Sequence, residues 1–304
     1  MTTHAARIPR AELYLLSITL IWGSTFAVSK IVLASVSPYA LQTMRFTLAA
    51  ALVGIYTWRD IRATTRATLW SGLVLGMLLG LGFLLQTVGL TMTTASRTGF
   101  ITGTMVVFTP LLQLVLERRA PTVGNIVGVA LVLAGLAMLS SPGAGSFGLG
   151  DLLVLGCAIV FAVYIVCIDI FTREAFHREI VFYQFIATAL VALVAMPLAG
   201  DSGSWTTQAF GGTVYLAVFA SAIAIFVQSK YQRESTPTRA AIIYSIEPVL
   251  AAAIAWMLIG ERLEGWGLAG AAVIFVGFLA SEFWPSHGSR HARLRASSDD
   301  AGQA

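Results

Sequence analysis

The sequence predicts an all-α polytopic membrane protein, and three observations carry that prediction. Hydrophobic residues fill 57% of the 304 positions and charged residues only 11%, where soluble domains carry about 25% charge. Apolar runs long enough to cross a hydrocarbon core, about 20 residues each, recur along the whole chain. The two halves also carry matching residues at a nearly constant spacing. Mean hydropathy is +0.81. This composition excludes an ordinary cytosolic enzyme, a disulfide-rich secreted domain and a disordered chain.

Ten apolar windows mark the predicted helices: 12–33, 38–58, 69–90, 96–116 and 121–140, then 149–171, 179–199, 211–231, 236–258 and 264–283. Only helices and closed barrels satisfy backbone polar groups in lipid. Runs of this length without period-2 alternation select helices. The first run extends from Leu13 to Leu33, longer than a signal peptide's apolar region of about 7–15 residues. It also carries Lys30 and no small-x-small cleavage site, so it reads as a retained span. Residues 285–304 read as a disordered cytoplasmic tail. Cys157 and Cys167 fall in one predicted helix, roughly 15 Å apart, too far for a disulfide.

The net charge of +4 reflects loop topology rather than nucleic-acid binding. One side of the predicted bundle takes Arg7, Arg10, Arg59, Arg62, Arg66, Arg118, Arg119, Arg173, Arg178, Lys230, Arg233, Arg239, Arg290, Arg293 and Arg295. The other takes Lys30, Arg97 and Arg262, and Arg45 lies inside the second span. Positive-inside bias then puts both termini in the cytoplasm of a bacterial inner-membrane protein. An even number of spans agrees.

Gln42, Gln86, Arg97, Gly128 and Gly135 each have an identical residue 142 positions on, at Gln184, Gln228, Arg239, Gly270 and Gly277. Pro110 aligns better with Pro248, at a spacing of 138, which implies an indel in the fourth or ninth span. The repeats run over 12–140 and 149–283 with five spans each. An odd number inverts the second copy, and Arg97 and Arg239 accordingly fall on opposite sides. Inverted repeats typify secondary transporters with a midplane site. A duplication that merely enlarged a bundle is the alternative.

Particular motifs sharpen this. Trp22-Gly23-Ser24-Thr25-Phe26 with Lys30 resembles the opening motif of EamA-type proteins in the drug/metabolite transporter superfamily. Arg239 to Glu261, with Glu247-Pro248 and Gly260-Glu261-Arg262-Leu263, is similar to that family's ninth span and following loop. The resemblance covers about residues 12–283. It implies a carrier that works by alternating access. Bacterial amino-acid exporters of the YddG type are the nearest comparison, and export direction rests on this resemblance alone. It also carries Thr25 onto the candidate pathway. The first half departs from the pattern: Glu117-Arg118-Arg119 follows Pro110 early, without a Gly-Glu-Arg turn.

Polar residues inside a span are expensive and face a cavity or a partner. Glu247, a carboxylate close to the midplane, is a candidate for proton coupling or cation recognition, or for a packing ion pair. Pro248 beside it removes a backbone donor and marks a kink or hinge. Pro110 is the first half's equivalent. Arg45 is too deep for easy snorkelling and is expected to hold an internal partner or an anionic substrate group, with Glu247 as one possible partner. Lys30 sits near a span end, and snorkelling is the favoured expectation. Gln42, Gln86, Gln184 and Gln228 form a symmetric set read chiefly as packing hydrogen bonds, with gating as the second reading.

Trp22, Phe26, Phe83, Tyr164 and Tyr244 lie away from the interfacial ends, unlike Trp58, Trp70 and Trp284. Such rings suit an amphipathic solute such as an amino acid with a large side chain. Gly72, Gly76 and Gly80, and Gly99 with Gly103, are spaced for close helix approach. The fifth and tenth spans have no strongly polar middle residue and read as peripheral supports or a dimer surface. The sequence leaves monomer and homodimer open.

Rival classes find little support. The histidines fall outside the spans, and no H-E-x-x-H, G-x-S-x-G or Cys/His cluster occurs. No enzyme activity, cofactor or metal is therefore expected. No segment resembles a channel filter. A proton-coupled drug or lipophilic-cation efflux carrier is the nearest alternative transporter, but it would call for a carboxylate in the middle of the first span, and Glu12 lies at its edge.

Overall fold

The computed structural model describes residues 10–118, 120–139, 148–173, 178–199, 203–260 and 265–283. The predicted 285–304 tail, Glu261, Arg262 and Trp284 lie outside them. The described chain is helical, with an isolated antiparallel bridge between Val36 and Gly203.

Helix starts follow local chemistry. The hydroxyls of Ser37, Thr65, Thr94, Thr206 and Thr236 each accept the N–H three residues on, which satisfies one of the orphan donors at a helix start. These caps open α3 (Pro38–Ile61), α4 (Arg66–Met92), α5 (Ala95–Gly103), α10 (Thr207–Tyr215) and α12 (Pro237–Tyr244). Pro38 and Pro237 sit in the first turn, where a missing N–H costs nothing. Asp151 caps α8 (Leu149–Thr172) by accepting from the N–H of Gly148 at 2.9 Å. Left-handed residues end two helices: Arg118 (φ 55°) after α6 (Met105–Glu117), and Gly260 (φ 73°) after α13 (Glu247–Ile259).

Among the described residues, six helices are long and apolar enough to cross a membrane: Arg10–Leu33, Arg66–Met92, Ala95–Glu117, Leu149–Thr172, Thr207–Glu234 and Pro237–Ile259. Four of these rods are interrupted. α1 (Arg10–Gly23) gives way to α2 (Thr25–Leu33) at Ser24, and α5 gives way to α6 at Thr104. α10 passes through a π-helical segment, Leu216–Ile223, into α11 (Ala224–Tyr231). α12 and α13 part at Ser245 and Ile246. The remaining α-helices are α3, α7 (Val123–Leu139), α9 (Glu179–Ala195) and α14 (Gly265–Phe283).

Glycine sets the closest packing. α4 lies against α8 on one side and α9 on the other. A Cβ on Gly72 would fall 2.6 Å from Tyr183 Cβ, and one on Gly89 would fall 2.6 Å from Val154 Cγ2. The expected Gly72-Gly76-Gly80 stripe therefore seats α9. α7 and α14 pack on each other: a Cβ on Gly135 would lie 2.6 Å from Gly270 O, and one on Gly277 would lie 3.0 Å from Gly128 O. The glycine faces of these two helices are thus spent on each other, while Ile126, Leu133, Phe275 and Val276 point outward.

Ion pairs join the N-terminal and C-terminal halves at both ends of the bundle. Arg97 Nε, in the first turn of α5, lies 2.8 Å from Asp151 Oδ1 at the start of α8. Thr93 donates to the same oxygen at 3.2 Å. At the other end Arg239 Nη1, in the first turn of α12, lies 3.3 Å from Glu12 Oε1 at the start of α1, and Ser235 donates to that oxygen at 3.3 Å. Thr93, Thr94 and Arg97 map onto Ser235, Thr236 and Arg239 at a spacing of 142. Near the Glu12 end, Arg173 bridges Glu117 (2.9 Å) and Asp169 (2.5 Å). Its hydrogen bond to Asp169, above all, raises the guanidinium's pKa.

Gly72→Val should clash with Tyr183 Cβ and Ile180 O and cost about 1–3 kcal/mol, read as a lower melting temperature in detergent. Gly211→Ala, where nothing lies within 4 Å of the added carbon, should not lower it.

Candidate functional site

The four interruptions meet around one cavity of about 50 Å³, room for a few ordered waters. Trp22 and Thr25 come from either side of Ser24, and Thr102 and Met105 from either side of Thr104. Ile225 and Gln228 follow the π-helical segment, and Tyr244 and Glu247 flank the Ser245–Ile246 break. Arg45 on α3, Phe83 and Gln86 on α4, and Phe161 and Tyr164 on α8 complete much of the wall.

Arg45 is 2% exposed. Its Nε donates to Ser221 Oγ at 2.7 Å. Its guanidinium carbon stands 4.5 Å from the Phe83 ring centroid and 5.0 Å from that of Phe46, within cation–π range. Nη2 is buried with no hydrogen-bond acceptor. The expectation that Glu247 pairs with Arg45 is not met: among the described residues no ion pair joins them, although both line the same cavity. The cavity is therefore lined by a guanidinium and a carboxyl group that are not paired with each other.

The polar aromatics are held firmly. Trp22 Nε1 donates to Ala220 O in the π-helical segment at 2.9 Å, and its ring meets Tyr244 edge-on at 5.3 Å between centroids. Tyr244 OH donates to Gln232 Oε1 at 3.1 Å, and Tyr164 OH donates to Gln184 Oε1 at 2.9 Å. All three residues line the cavity.

With this geometry in place, likenesses to known proteins acquire meaning. The sequence profile of the EamA-like transporter family matches twice, over residues 9–141 and 148–281. The chain is 34% identical over 275 residues to an uncharacterized transporter of Archaeoglobus fulgidus, covering 88% of this chain and 83% of that one. With the uncharacterized transporter YoaV of Bacillus subtilis it shares 23% identity over 289 residues, covering 90% and 97%. A crystal structure at 20% identity superposes with a TM-score of 0.73, covering 89% of this chain and 96% of that one. This protein belongs to the EamA-like transporter family.

The EamA-like protein is accordingly a multi-pass membrane transporter of small molecules. Most of the residues singled out in the sequence lie together: Trp22, Thr25, Arg45, Phe83, Gln86, Tyr164, Tyr244 and Glu247 all line the cavity, with Gln228. Phe26 does not. One residue beyond Thr25, it turns the other way and packs with Leu90, Ala95, Ala251 and Ala255. Lys30 is part-buried near its span end, and its Nζ donates to Leu90 O at 2.8 Å and Thr93 O at 2.6 Å, capping α4, where a cation meets the helix's negative end.

The glutamines divide. Gln42 donates to Thr87, and Gln184, 142 positions on, donates to Ser229 at 3.5 Å. These are packing bonds between helices of one half. Gln86, which donates to Thr102 at 3.1 Å, and Gln228 face the cavity. Pro110 lies inside α6, and Pro248 in the first turn of α13 just past its break.

Sequence reasoning missed Ser221, the hydrogen-bond partner of Arg45. A lone serine in an apolar run carries no signal of a partner 176 residues away. The π-helical turn that contains it has no composition cue either, although such turns recur at functional sites.

Trp22→Phe should leave Ala220 O without its indole donor and cost about 1–3 kcal/mol, measured by thermal unfolding in detergent. Tyr56→Leu, on an exposed α3 ring, should cost less.

Proposed function

We propose that this protein is a secondary carrier that exports amino acids, aromatic and large neutral ones included, from a bacterial cytoplasm by alternating access. In this reading ten spans form two inverted five-helix repeats, 12–140 and 149–283, with both termini cytoplasmic. The family supports transport. The Lys and Arg distribution supports the orientation, and the double profile match supports the duplication.

The observation that supports the substrate reading is that an arginine and a glutamate, Arg45 and Glu247, line one cavity without pairing. Burying one unpaired charge costs several kcal/mol. A zwitterion repays both costs together: its carboxylate meets the Arg45 Nη2 left without an acceptor, and its ammonium meets Glu247. Phe83, Phe161 and Trp22 offer ring surface to an apolar side chain. A lipophilic cation would satisfy Glu247 alone and leave Arg45 unmet.

Uptake of a radiolabelled amino-acid panel into proteoliposomes, with and without a pH gradient, tests this. Saturable uptake of large neutral amino acids above empty liposomes is expected. Uptake of lipophilic cations alone would overturn the substrate reading. Arg45→Ala should weaken carboxylate-bearing substrates by about 2–5 kcal/mol and spare amines that lack a carboxylate. Equal loss for both would remove Arg45 from recognition. Glu247→Gln should abolish the response to a pH gradient if Glu247 carries the coupled proton. An unchanged response would exclude that role.

A further inference from the structure

Resting on the amino-acid reading, we propose that Gln228 is the hydrogen-bond acceptor that selects the substrate's ammonium group, and that Gln232, buried behind it, is the positioning residue that fixes which way the Gln228 amide faces.

The orientation follows from a chain of hydrogen bonds. Gln232 Nε2 donates to the backbone carbonyl of Ile165 on α8 at 2.7 Å. A carbonyl oxygen only accepts, so Gln232 turns its amide nitrogen to Ile165 and its amide oxygen to the other side. That oxygen accepts from Gln228 Nε2 at 3.1 Å and from Tyr244 OH at 3.1 Å, which uses both of its lone pairs. Turning the Gln228 amide over would set two carbonyl oxygens against each other. Gln228 therefore keeps its nitrogen on Gln232, and its Oε1 is buried without a hydrogen-bond partner. Gln228 lines the cavity together with Glu247, whereas Gln232 is 0% exposed and lies off the cavity wall. The amide atom left for a solute is an acceptor.

That polarity distinguishes the two ends of a zwitterion. An ammonium group carries three N–H donors and no acceptor, so it can donate to Gln228 Oε1 and to Glu247 together. A carboxylate offers no donor and is turned toward Arg45. The first repeat lacks this lock. Gln86, 142 positions before Gln228, donates to the Thr102 hydroxyl at 3.1 Å, and a hydroxyl serves either atom of an amide. Leu90 stands where the second repeat has Gln232. A leucine fills this place in one half, so packing alone does not call for the amide in the other.

Calorimetric binding to the purified protein in detergent tests the assignment with three probes: phenylalanine, phenethylamine, which lacks the carboxylate, and 3-phenylpropionate, which lacks the ammonium. Gln228→Met keeps the side chain's length and removes the amide. It should weaken phenylalanine and phenethylamine about ten- to a hundredfold, the worth of one hydrogen bond to a charged group, and leave 3-phenylpropionate unchanged. Gln232→Met leaves the cavity wall intact and unlocks the Gln228 amide. It should weaken the same two probes about twofold or more, as expected where half of the amides present their oxygen, and again spare 3-phenylpropionate. A helix-packing role would move all three probes together.

Equal weakening of all three, or no weakening of any, would overturn the proposal; phenylalanine uptake into proteoliposomes by the parent protein would then leave the amino-acid reading standing. A parent that binds phenethylamine but not phenylalanine, and loses it in Gln228→Met while 3-phenylpropionate is spared, would sustain Gln228 as the acceptor and overturn the amino-acid reading. A parent that binds neither ammonium probe would overturn both.

Discussion

A backbone that crosses hydrocarbon must satisfy its polar groups internally, and this constraint decides where the fold can break. A gap in a helix is tolerable only where protein or a cavity surrounds it. The interruptions at Ser24, Thr104 and Ser245 share one device: each hydroxyl donates back to the carbonyl three residues before it, Ile21 O at 2.7 Å, Ile101 O at 2.6 Å and Ile242 O at 2.6 Å. Ser/Thr back-bonding of this kind bends helices at small cost. The π-helical segment places the carbonyl of Ala220 where the Trp22 indole meets it. The breaks are therefore chemically sealed, and their clustering at one place builds the cavity.

The same economy governs charge. Arg45 sits where water is scarce, and Ser221 satisfies one of its donors while two rings cover its face. Those contacts are worth a few kcal/mol at most, less than the cost of a fully buried unpaired charge. The shortfall is what the carboxylate of the proposed substrate would offset. By contrast, Arg97, Arg173 and Arg239 lie near helix ends, partly exposed and each within reach of a carboxylate. They fasten helices from opposite halves at modest energy. One arginine remains incompletely met at the cavity while these three stitch the bundle, and depth alone separates the two uses.

The sequence was legible where the signal is local. Apolar length and the Gly72-Gly76-Gly80 stripe appear in short windows, and each corresponds to a feature of the helices. Cavity residues were legible through cost: a charge or amide in an apolar run has few places to go, so Arg45, Gln86 and Glu247 stood out. Phe26 and Lys30 show the limit. Both lie shortly after the break at Ser24. Phe26 faces Leu90 and Ala255, and Lys30 faces the end of α4. Ser221, Gln113 and Thr238 were invisible because their meaning lies in partners far along the chain, 176 residues apart for Ser221 and Arg45 and 125 for Thr238 and Gln113.

Duplication explains why the two ends resemble each other and also why they differ. Thr94 and Thr236 cap their helices alike, and Arg97 and Arg239 reach carboxylates of the opposite half alike. Backbone plan is therefore shared. The helix contacts between these ties have drifted: alanines and Gly99 at one end, a threonine–glutamine hydrogen bond at the other. Shared architecture thus sets where the two halves meet, and divergent side chains set what each meeting is made of: close apolar packing at one end, a sheltered hydrogen bond worth about 1 kcal/mol at the other.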